Sequence, residues 1–133
     1  MKVYDLEGRE YTFKLKGRKT GPRSKLCLRV RQLLTELYPT VQTVEEIPIE
    51  LNRRTTLYLD FYIPLIATAI EVQGQQHSQF VQHFHGTRMG FIAQKRNDAD
   101  KKRWCDLNNI RLVYLNYDET DEQWKDIIND PED

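Results

Sequence analysis

Apolar and polar positions repeat along this chain with two different periods. Some apolar runs are short and rich in Leu, Ile, Val, Phe and Tyr, which is typical of buried strands, and others repeat every three to four residues, which indicates helices. In chain order the pattern predicts a short strand over 10–15, a helix from Pro22 or Ser24 to Tyr38, strands over 41–49, 56–63 and 67–73, a helix over 89–108, a strand over 110–116 and an acidic helix over 120–129.

The order of these elements predicts the fold class. A long helix between two strands of one sheet indicates a parallel crossover, and the three strands before it can form a meander. We therefore expect an α/β protein with a mixed sheet and an αβββαβ core. The chain contains no GxGxxG or P-loop motif, so a doubly wound nucleotide-binding fold is not expected. At 133 residues we expect one domain, with a core over about 22–117, an N-terminal arm over 1–21 and a C-terminal helical segment over 118–133.

Charge is distributed unevenly although the net charge is zero. Residues 1–31 contain ten Lys or Arg and three acids, a net of +7, and residues 117–133 contain eight acids and one lysine, a net of −7. A basic arm with turn-forming residues favours a polyanionic partner. The acidic end is expected to be solvated or to dock on basic surface of the same molecule.

The remaining composition is that of a globular protein without a membrane segment or an apolar leader. Cys27 and Cys105 are far apart, belong to no CxxC pair and lie in apolar surroundings, so we expect buried free thiols. These features predict a cytoplasmic protein.

Two carboxylates interrupt the apolar strands of the central hairpin. Asp60 and Glu71 would be costly to bury unless they face a cleft, a strong hydrogen-bond partner or a cation. On neighbouring strands they can converge on one point, and oxygen ligands suit a hard divalent cation. His77, which follows closely, titrates near neutral pH. The alternative is that each acid caps a turn or pairs with an arginine such as Arg53 or Arg54.

The second helix carries polar residues on a face that should contact the core. Phe91, Asp98 and Cys105 are seven residues apart and form one stripe, and Gln94 and Lys101 lie on the same side. This stripe predicts a polar floor beneath the sheet carboxylates. The alternative is that Asp98 pairs with a neighbouring lysine at the surface, which contributes little.

Several segments together resemble the PD-(D/E)xK nuclease superfamily, namely LDFYIP, AIEVQGQQH, FHGT and FIAQKRNDADKKRWCDLNNIRLVYL. The chain is most similar to the branch of very-short-patch-repair endonucleases and phage EDxHD homing endonucleases. The resemblance covers about residues 22–125 and implies a restriction-endonuclease-like core. It also implies a metal-dependent DNA endonuclease encoded by a bacteriophage.

The resemblance assigns roles to five residues. Asp60 and Glu71 match the metal-binding carboxylates, and Gln73 stands where the superfamily usually has lysine. His77 matches the histidine after the hairpin, and Asp98 matches the aspartate of the following helix.

The chain departs from the family pattern at two positions. Because Gln73 replaces lysine, water activation is left to the metal, to His77 or to Lys101 reaching in from the helix. The acid that relatives carry in the first helix is absent here, and Glu36 or Glu46 is a possible substitute.

The implied mechanism is hydrolysis of a DNA phosphodiester bond with Mg²⁺, or Mn²⁺ in its place. Asp60, Glu71 and the carbonyl of Val72 would hold the metal, His77 would transfer protons, and Asp98 would orient His77 or metal-bound water. A homodimer or a protein partner could supply specificity. Cations of the basic arm would contact the DNA backbone: Lys16, Arg18, Lys19, Arg23 and Lys25.

Two rival functions remain open. One is a DNA-binding module that kept the nuclease fold and lost catalysis, which the missing lysine and helix acid favour. The other is a zinc protein using His77, His83 and His85, whose spacing lacks a convincing fourth ligand.

Overall fold

The computed structural model describes residues 1–18, 23–74 and 88–130. Its strands are β1 (Lys2–Tyr4), β2 (Glu10–Thr12), β3 (Val44–Asn52), β4 (Thr55–Ile63), β5 (Thr68–Gln73) and β6 (Arg111–Asn116). Its α-helices are α1 (Lys25–Leu37), α2 (Arg88–Leu107) and α3 (Asp121–Asn129), and a 3₁₀ turn over Pro64–Ile66 joins β4 to β5.

The main sheet has four strands in the order β3-β4-β5-β6. The β3–β4 and β4–β5 pairs are antiparallel and the β5–β6 pair is parallel. Helix α2 makes the crossover between the two parallel strands, as a connection of this kind requires. The predicted α/β class and the αβββαβ order are therefore confirmed.

Both faces of the sheet are covered. On one face Trp104 and Cys105 of α2 pack with sheet residues and with Phe13 of the N-terminal segment. On the other face α1 and α3 pack together, with Val30 and Trp124 fully buried. Burial of large side chains on both faces supplies the main driving force for this layered arrangement.

The helix ends follow from local sequence. Ser24 precedes α1 and its hydroxyl accepts a hydrogen bond from the Cys27 N–H at 3.1 Å, so it caps the helix. Thr120 and Gln123 form a reciprocal capping box at the start of α3. The observed bounds differ from those of the predicted helices by at most three residues.

The strands show larger differences. β3 covers Val44–Asn52 rather than 41–49 because the chain turns after α1, where the Val41 N–H donates to the Tyr38 carbonyl. β2 is three residues long instead of six, and it pairs with β1, a three-residue strand that the pattern did not predict. A strand of three residues is too short for alternation to be recognised.

The acidic C-terminal segment docks on basic side chains. The Arg29 guanidinium lies 3.7 Å from the centre of the Trp124 ring and pairs with Asp121 at 2.6 Å. Arg111 donates to the carbonyls of Ile127 and Ile128 at the end of α3. The acidic end was expected either to be solvated or to dock on basic surface of the same molecule. In the part of this segment that the structure describes, it docks on basic surface.

Two further predictions concern the cysteines and membrane segments. Cys27 and Cys105 are buried free thiols, as expected. Within the described residues, every helix is too short or too polar to span a bilayer.

Candidate functional site

Asp60 and Glu71 lie directly opposite each other at the point where the β4–β5 ladder stops. The registered pairs end at Phe61 opposite Ile70, and Asp60 and Glu71 form the next position. Here carboxylates accept the strand amides: the Asp60 N–H donates to Glu71 Oε2 at 2.8 Å, and the Val72 N–H donates to Asp60 Oδ2 at 2.8 Å. The two acids therefore share one face of the sheet and hold each other's strands.

Glu71 is almost completely buried, with its side chain 6% exposed. Burial and the neighbouring Asp60 carboxylate raise the pKa of Glu71 to about 8, although Lys101 acts in the opposite direction. Lys101 reaches in from α2 and places Nζ 2.5 Å from Glu71 Oε1. Lys101 thus places a positive charge beside an acid that is costly to ionise.

Lys101 stays protonated at neutral pH. Burial lowers its pKa, but the charges of Glu71, Asp60 and Asp98 outweigh burial and raise the pKa above its usual value. A lysine with a raised pKa holds its proton and cannot act as a general base near pH 7. The metal, His77 and Lys101 were the three groups expected to activate water. The raised pKa argues against Lys101 in this role.

Glu46 lies opposite Asp60 on the other neighbouring strand. The β3–β4 register pairs Glu45 with Phe61 and Ile47 with Leu59, which places Glu46 across from Asp60. Glu46 has φ 53°, a left-handed conformation that is uncommon for a residue with a side chain. Of the two residues considered as substitutes for the missing helix acid, Glu46 lies next to Asp60, whereas Glu36 is exposed on α1.

Arg23 is the cation associated with this group of acids. Its guanidinium is 2.7 Å from Glu45, 3.6 Å from Glu46 and 3.7 Å from Asp60, and its side chain is only 9% exposed. The expectation that Arg23 contacts the DNA backbone therefore needs correction, because the side chain is buried among its acidic partners. The alternative in which Asp60 pairs with an arginine is met by Arg23.

Arg18 sits at the mouth of the site. Its N–H donates to the Glu46 carbonyl at 3.0 Å and its Nε donates to the Glu46 carboxylate at 3.2 Å. The guanidinium lies 3.6 Å from the centre of the Tyr58 ring. Before it, Gly17 packs against β3 so closely that an added Cβ would lie 1.7 Å from the Glu45 carbonyl oxygen.

These residues border a cleft of about 290 Å³ between the sheet and α2. Asp98 and Lys101 line it from the helix, as the predicted polar stripe requires. The lining residues are Arg18, Glu46, Thr56, Leu57, Tyr58, Asp60, Gln94, Asn97, Asp98 and Lys101. Three acids and two cations are in this set, so the lining favours a bound cation beside the acids, and an anionic ligand would need that cation as a bridge.

The other predicted residues are placed as follows. Gln73 ends β5 and is half-buried, and Val72 before it is buried. Lys16 and Lys25 are exposed. The predictions for Lys19, His77, His83 and His85 lie outside the described residues, and so does the zinc alternative that rests on the three histidines.

The donor set suits Mg²⁺ in its chemistry. Asp60, Glu71 and Glu46 offer carboxylate oxygens, and each oxygen has a second lone pair beyond the one that accepts an N–H. Within the described residues, however, no three acidic, histidine or cysteine side chains are close enough to hold a metal by themselves. Mg²⁺ typically uses one or two carboxylates and completes its shell with water and substrate phosphate, so the residues present fit this ion.

Comparison with known proteins gives three viral relatives. The chain is 35% identical over 66 residues to uncharacterized protein 307L of Invertebrate iridescent virus 6, covering 50% of this chain and 34% of the relative. It is 39% identical over 62 residues to uncharacterized protein 094L of Frog virus 3 (46% and 40%), and 31% identical over 61 residues to uncharacterized protein 033L of Invertebrate iridescent virus 3 (46% and 31%). The chain thus spans about a third to two fifths of these relatives. No protein-family model and no solved structure matches it.

Proposed function

We propose that this protein is a metal-dependent endonuclease that hydrolyses phosphodiester bonds in DNA. One observation carries the proposal: Asp60 and Glu71 face each other at the end of a strand pair, and Lys101 contacts Glu71 from the crossover helix. Two acids and a lysine on this αβββαβ core match the chemistry of the nuclease superfamily that the sequence resembles. Fold class alone would not support the same conclusion.

In this proposal Asp60 and Glu71 hold Mg²⁺, with the Val72 carbonyl as a further oxygen donor. When bound, the ion would polarise the scissile phosphate and lower the pKa of a bound water. Asp98 lines the same cleft, and in this proposal it orients water or His77. His77 remains the proposed proton carrier, because Gln73 cannot take a proton and Lys101 keeps its own.

Lys101 takes over the charge that a strand lysine would provide. Its ammonium group holds Glu71 in place and lies close enough to the acids to stabilise negative charge on a phosphate next to them. Gln73, which stands at the position of that strand lysine, would then contribute only neutral hydrogen bonds.

The decisive test is incubation of the purified protein with supercoiled plasmid in Mg²⁺, Mn²⁺ or EDTA. Nicked or linear DNA is expected with either metal and not with EDTA. Asp60→Asn and Glu71→Gln should abolish the product, and Glu36→Gln, an exposed glutamate outside the site, should not. Plasmid that stays supercoiled with both metals, at protein concentrations that bind it, would contradict the proposal.

A second candidate is a DNA-binding module without catalysis. It is favoured by one contact pattern, since both oxygens of Glu71 already accept N–H donors. Binding of plasmid without any metal-dependent cleavage would favour this function over the endonuclease.

A further inference from the structure

The cleft beside Asp60 contains groups that holding a cation does not require. Tyr58 lies two residues before Asp60 on β4, so both side chains project from the same face of the strand. The Arg18 guanidinium covers the Tyr58 ring at 3.6 Å, which is van der Waals contact. The Arg18 side chain is 49% exposed, so part of it remains accessible to a ligand.

A planar cation stacked on an aromatic ring is a suitable platform for a nucleobase. Every base has a π-face, and proteins that hold single strands stack bases on aromatic rings and on arginine planes. The platform lies at the mouth of the cleft, beside the acids assigned to the phosphate chemistry.

The opposite wall of the cleft offers groups that read the edge of a base. Gln94 and Asn97 line it from α2 and are three residues apart, so they lie on neighbouring positions of one helix face. A side-chain amide has two N–H donors and a carbonyl acceptor, which allows paired hydrogen bonds to a base edge. A cleft that binds only a cation needs neither amide.

The size of the cleft limits its occupant. A volume of about 290 Å³ lies just below the usual range for ligand pockets, about 300–1,000 Å³, so the cleft has room for one nucleotide at most and not for a base pair within a duplex. A base that enters must be unpaired or extruded from its helix.

We propose that this cleft binds one unpaired nucleotide of DNA, stacked on the Arg18–Tyr58 pair and contacted by Gln94 and Asn97. This inference rests on the proposed function for its partner, DNA, but not on cleavage. It makes the preferred substrate a single strand or a duplex that contains an unpaired nucleotide, rather than fully paired DNA.

The experiment is equilibrium binding by fluorescence anisotropy. Ca²⁺ replaces Mg²⁺, and the probes are run on a gel afterwards to show that they have not been cut. Three labelled DNA probes of one sequence are compared: a single strand, a matched duplex and a duplex with one unpaired nucleotide. The single strand and the interrupted duplex are expected to bind on the order of tenfold or more tightly than the matched duplex. Equal affinity for all three would overturn the inference, and so would tighter binding of a single-stranded RNA of the same sequence.

Variants then test the cleft itself. Tyr58→Leu keeps an apolar side chain but removes the ring, and it should reduce the preference for the unpaired nucleotide on the order of tenfold. Gln94→Ala should reduce it less. Tyr4→Leu is the matched control, because Tyr4 is an exposed tyrosine on β1, away from the cleft. A Tyr58→Leu protein with wild-type thermal stability and an unchanged preference would place the nucleotide elsewhere.

Cleavage and binding can fail separately. If plasmid is never cut but the Tyr58-dependent preference is observed, the nucleotide site stands and the endonuclease proposal fails. If plasmid is cut with Mg²⁺ and all three probes bind equally, the endonuclease stands and the nucleotide site fails.

Discussion

At the scale of single residues, the site depends on two carboxylates that replace backbone hydrogen bonds. Asp60 and Glu71 each accept an amide of the opposite strand at 2.8 Å, where the ladder would otherwise continue. The strand amides are thereby satisfied, but two acids remain next to each other in a buried position. Their mutual repulsion is relieved by Lys101 and would be relieved further by a cation.

Burial of Glu71, together with this repulsion, predicts a stability that depends on pH. Glu71 has a raised pKa of about 8 in the folded protein against 4.5 for an ordinary glutamate. The folded state therefore binds the proton more tightly, and Glu71 favours folding below about pH 4.5 and loses this contribution as pH rises to about 8. Glutamine does not ionise, so Glu71→Gln should not lose this contribution as pH rises. In EDTA, the free energy of unfolding of Glu71→Gln relative to wild type should therefore increase by on the order of 3 kcal/mol between pH 5 and pH 8.

Thermal unfolding at several pH values measures this difference. Loss of the Lys101 partner adds a constant offset, so the change with pH is the informative quantity. Glu36→Gln serves as the control and should follow wild type throughout. Parallel curves for wild type and Glu71→Gln would show that Glu71 ionises normally in the folded protein.

The role of Lys101 can be tested by moving the lysine from α2 to the end of β5. Lys101→Met should reduce plasmid cleavage by about 10²- to 10⁴-fold, comparable to the loss of other groups that stabilise transition-state charge. Gln73→Lys in the same protein should restore much of the rate, because it returns an ammonium group to the end of β5. Initial rates at fixed Mg²⁺ measure both effects, with thermal unfolding as a check on folding. If Lys101→Met cuts at the wild-type rate, Lys101 is structural only.

The pairing of Asp60 with Glu71 and the stripe containing Asp98 and Lys101 could be predicted from the sequence, because strand alternation and helical spacing determine which side chains share a face. The position of Glu46 opposite Asp60 could not, since it depends on where β3 begins. The predicted strand was three residues too early at its start. The internal role of Arg23 was also missed, because no periodicity connects a loop arginine to acids on distant strands.

At the scale of elements, the N-terminal segment acts as an additional layer along the edge of β3. Gly17 approaches the Glu45 carbonyl too closely for any side chain, and the Arg18 N–H then bonds to the Glu46 carbonyl at 3.0 Å. This contact places Arg18 over Tyr58. A glycine is required by close approach of two backbones rather than by its own dihedral angle.

Gly17→Ala should therefore detach the segment from β3. The Cβ would meet backbone atoms that cannot move aside, and overpacking of this kind costs about 1–3 kcal/mol. We expect a lower melting temperature together with weaker binding of unpaired DNA, since Arg18 would no longer be held over the ring. Lys16→Ala, at an exposed neighbouring position, is the control for melting temperature. Wild-type stability and binding in Gly17→Ala would mean that the segment is not held in this position in solution.

Prediction of the elements was most accurate where burial on both faces left little choice. β4, β5 and β6 were predicted to within one residue at each end, because their apolar runs are continuous. The β1–β2 hairpin was mostly missed, since its short strands are stabilised by the contacts of Val3 and Phe13 with the core rather than by their own pattern.

At the scale of the whole molecule, the charge asymmetry of the sequence is partly neutralised inside the fold. The acidic C-terminal helix is held by Arg29 and Arg111, and Arg23 is held by the acids of β3 and β4. Counting basic residues along the chain therefore overstates the charge available to DNA. Among the described residues that are predicted to contact DNA, Lys16 and Lys25 are exposed and Arg18 is half-exposed.

This distribution predicts how DNA binding responds to salt. Each lysine that neutralises a phosphate contributes about 0.9 to the slope of log affinity against log salt on duplex DNA, so Lys16→Gln with Lys25→Gln should reduce the slope by roughly 1.8. Arg23→Gln should leave the slope nearly unchanged and instead destabilise the fold by on the order of 2 kcal/mol, because the partly buried Glu45, Glu46 and Asp60 lose a shared cation. Anisotropy titrations of one duplex between about 50 and 200 mM NaCl give the slopes, and thermal unfolding gives the stability. A double lysine variant with the wild-type slope would move the DNA path away from the arm, and a reduced slope in a stably folded Arg23→Gln protein would show that Arg23 leaves its acidic partners to contact DNA.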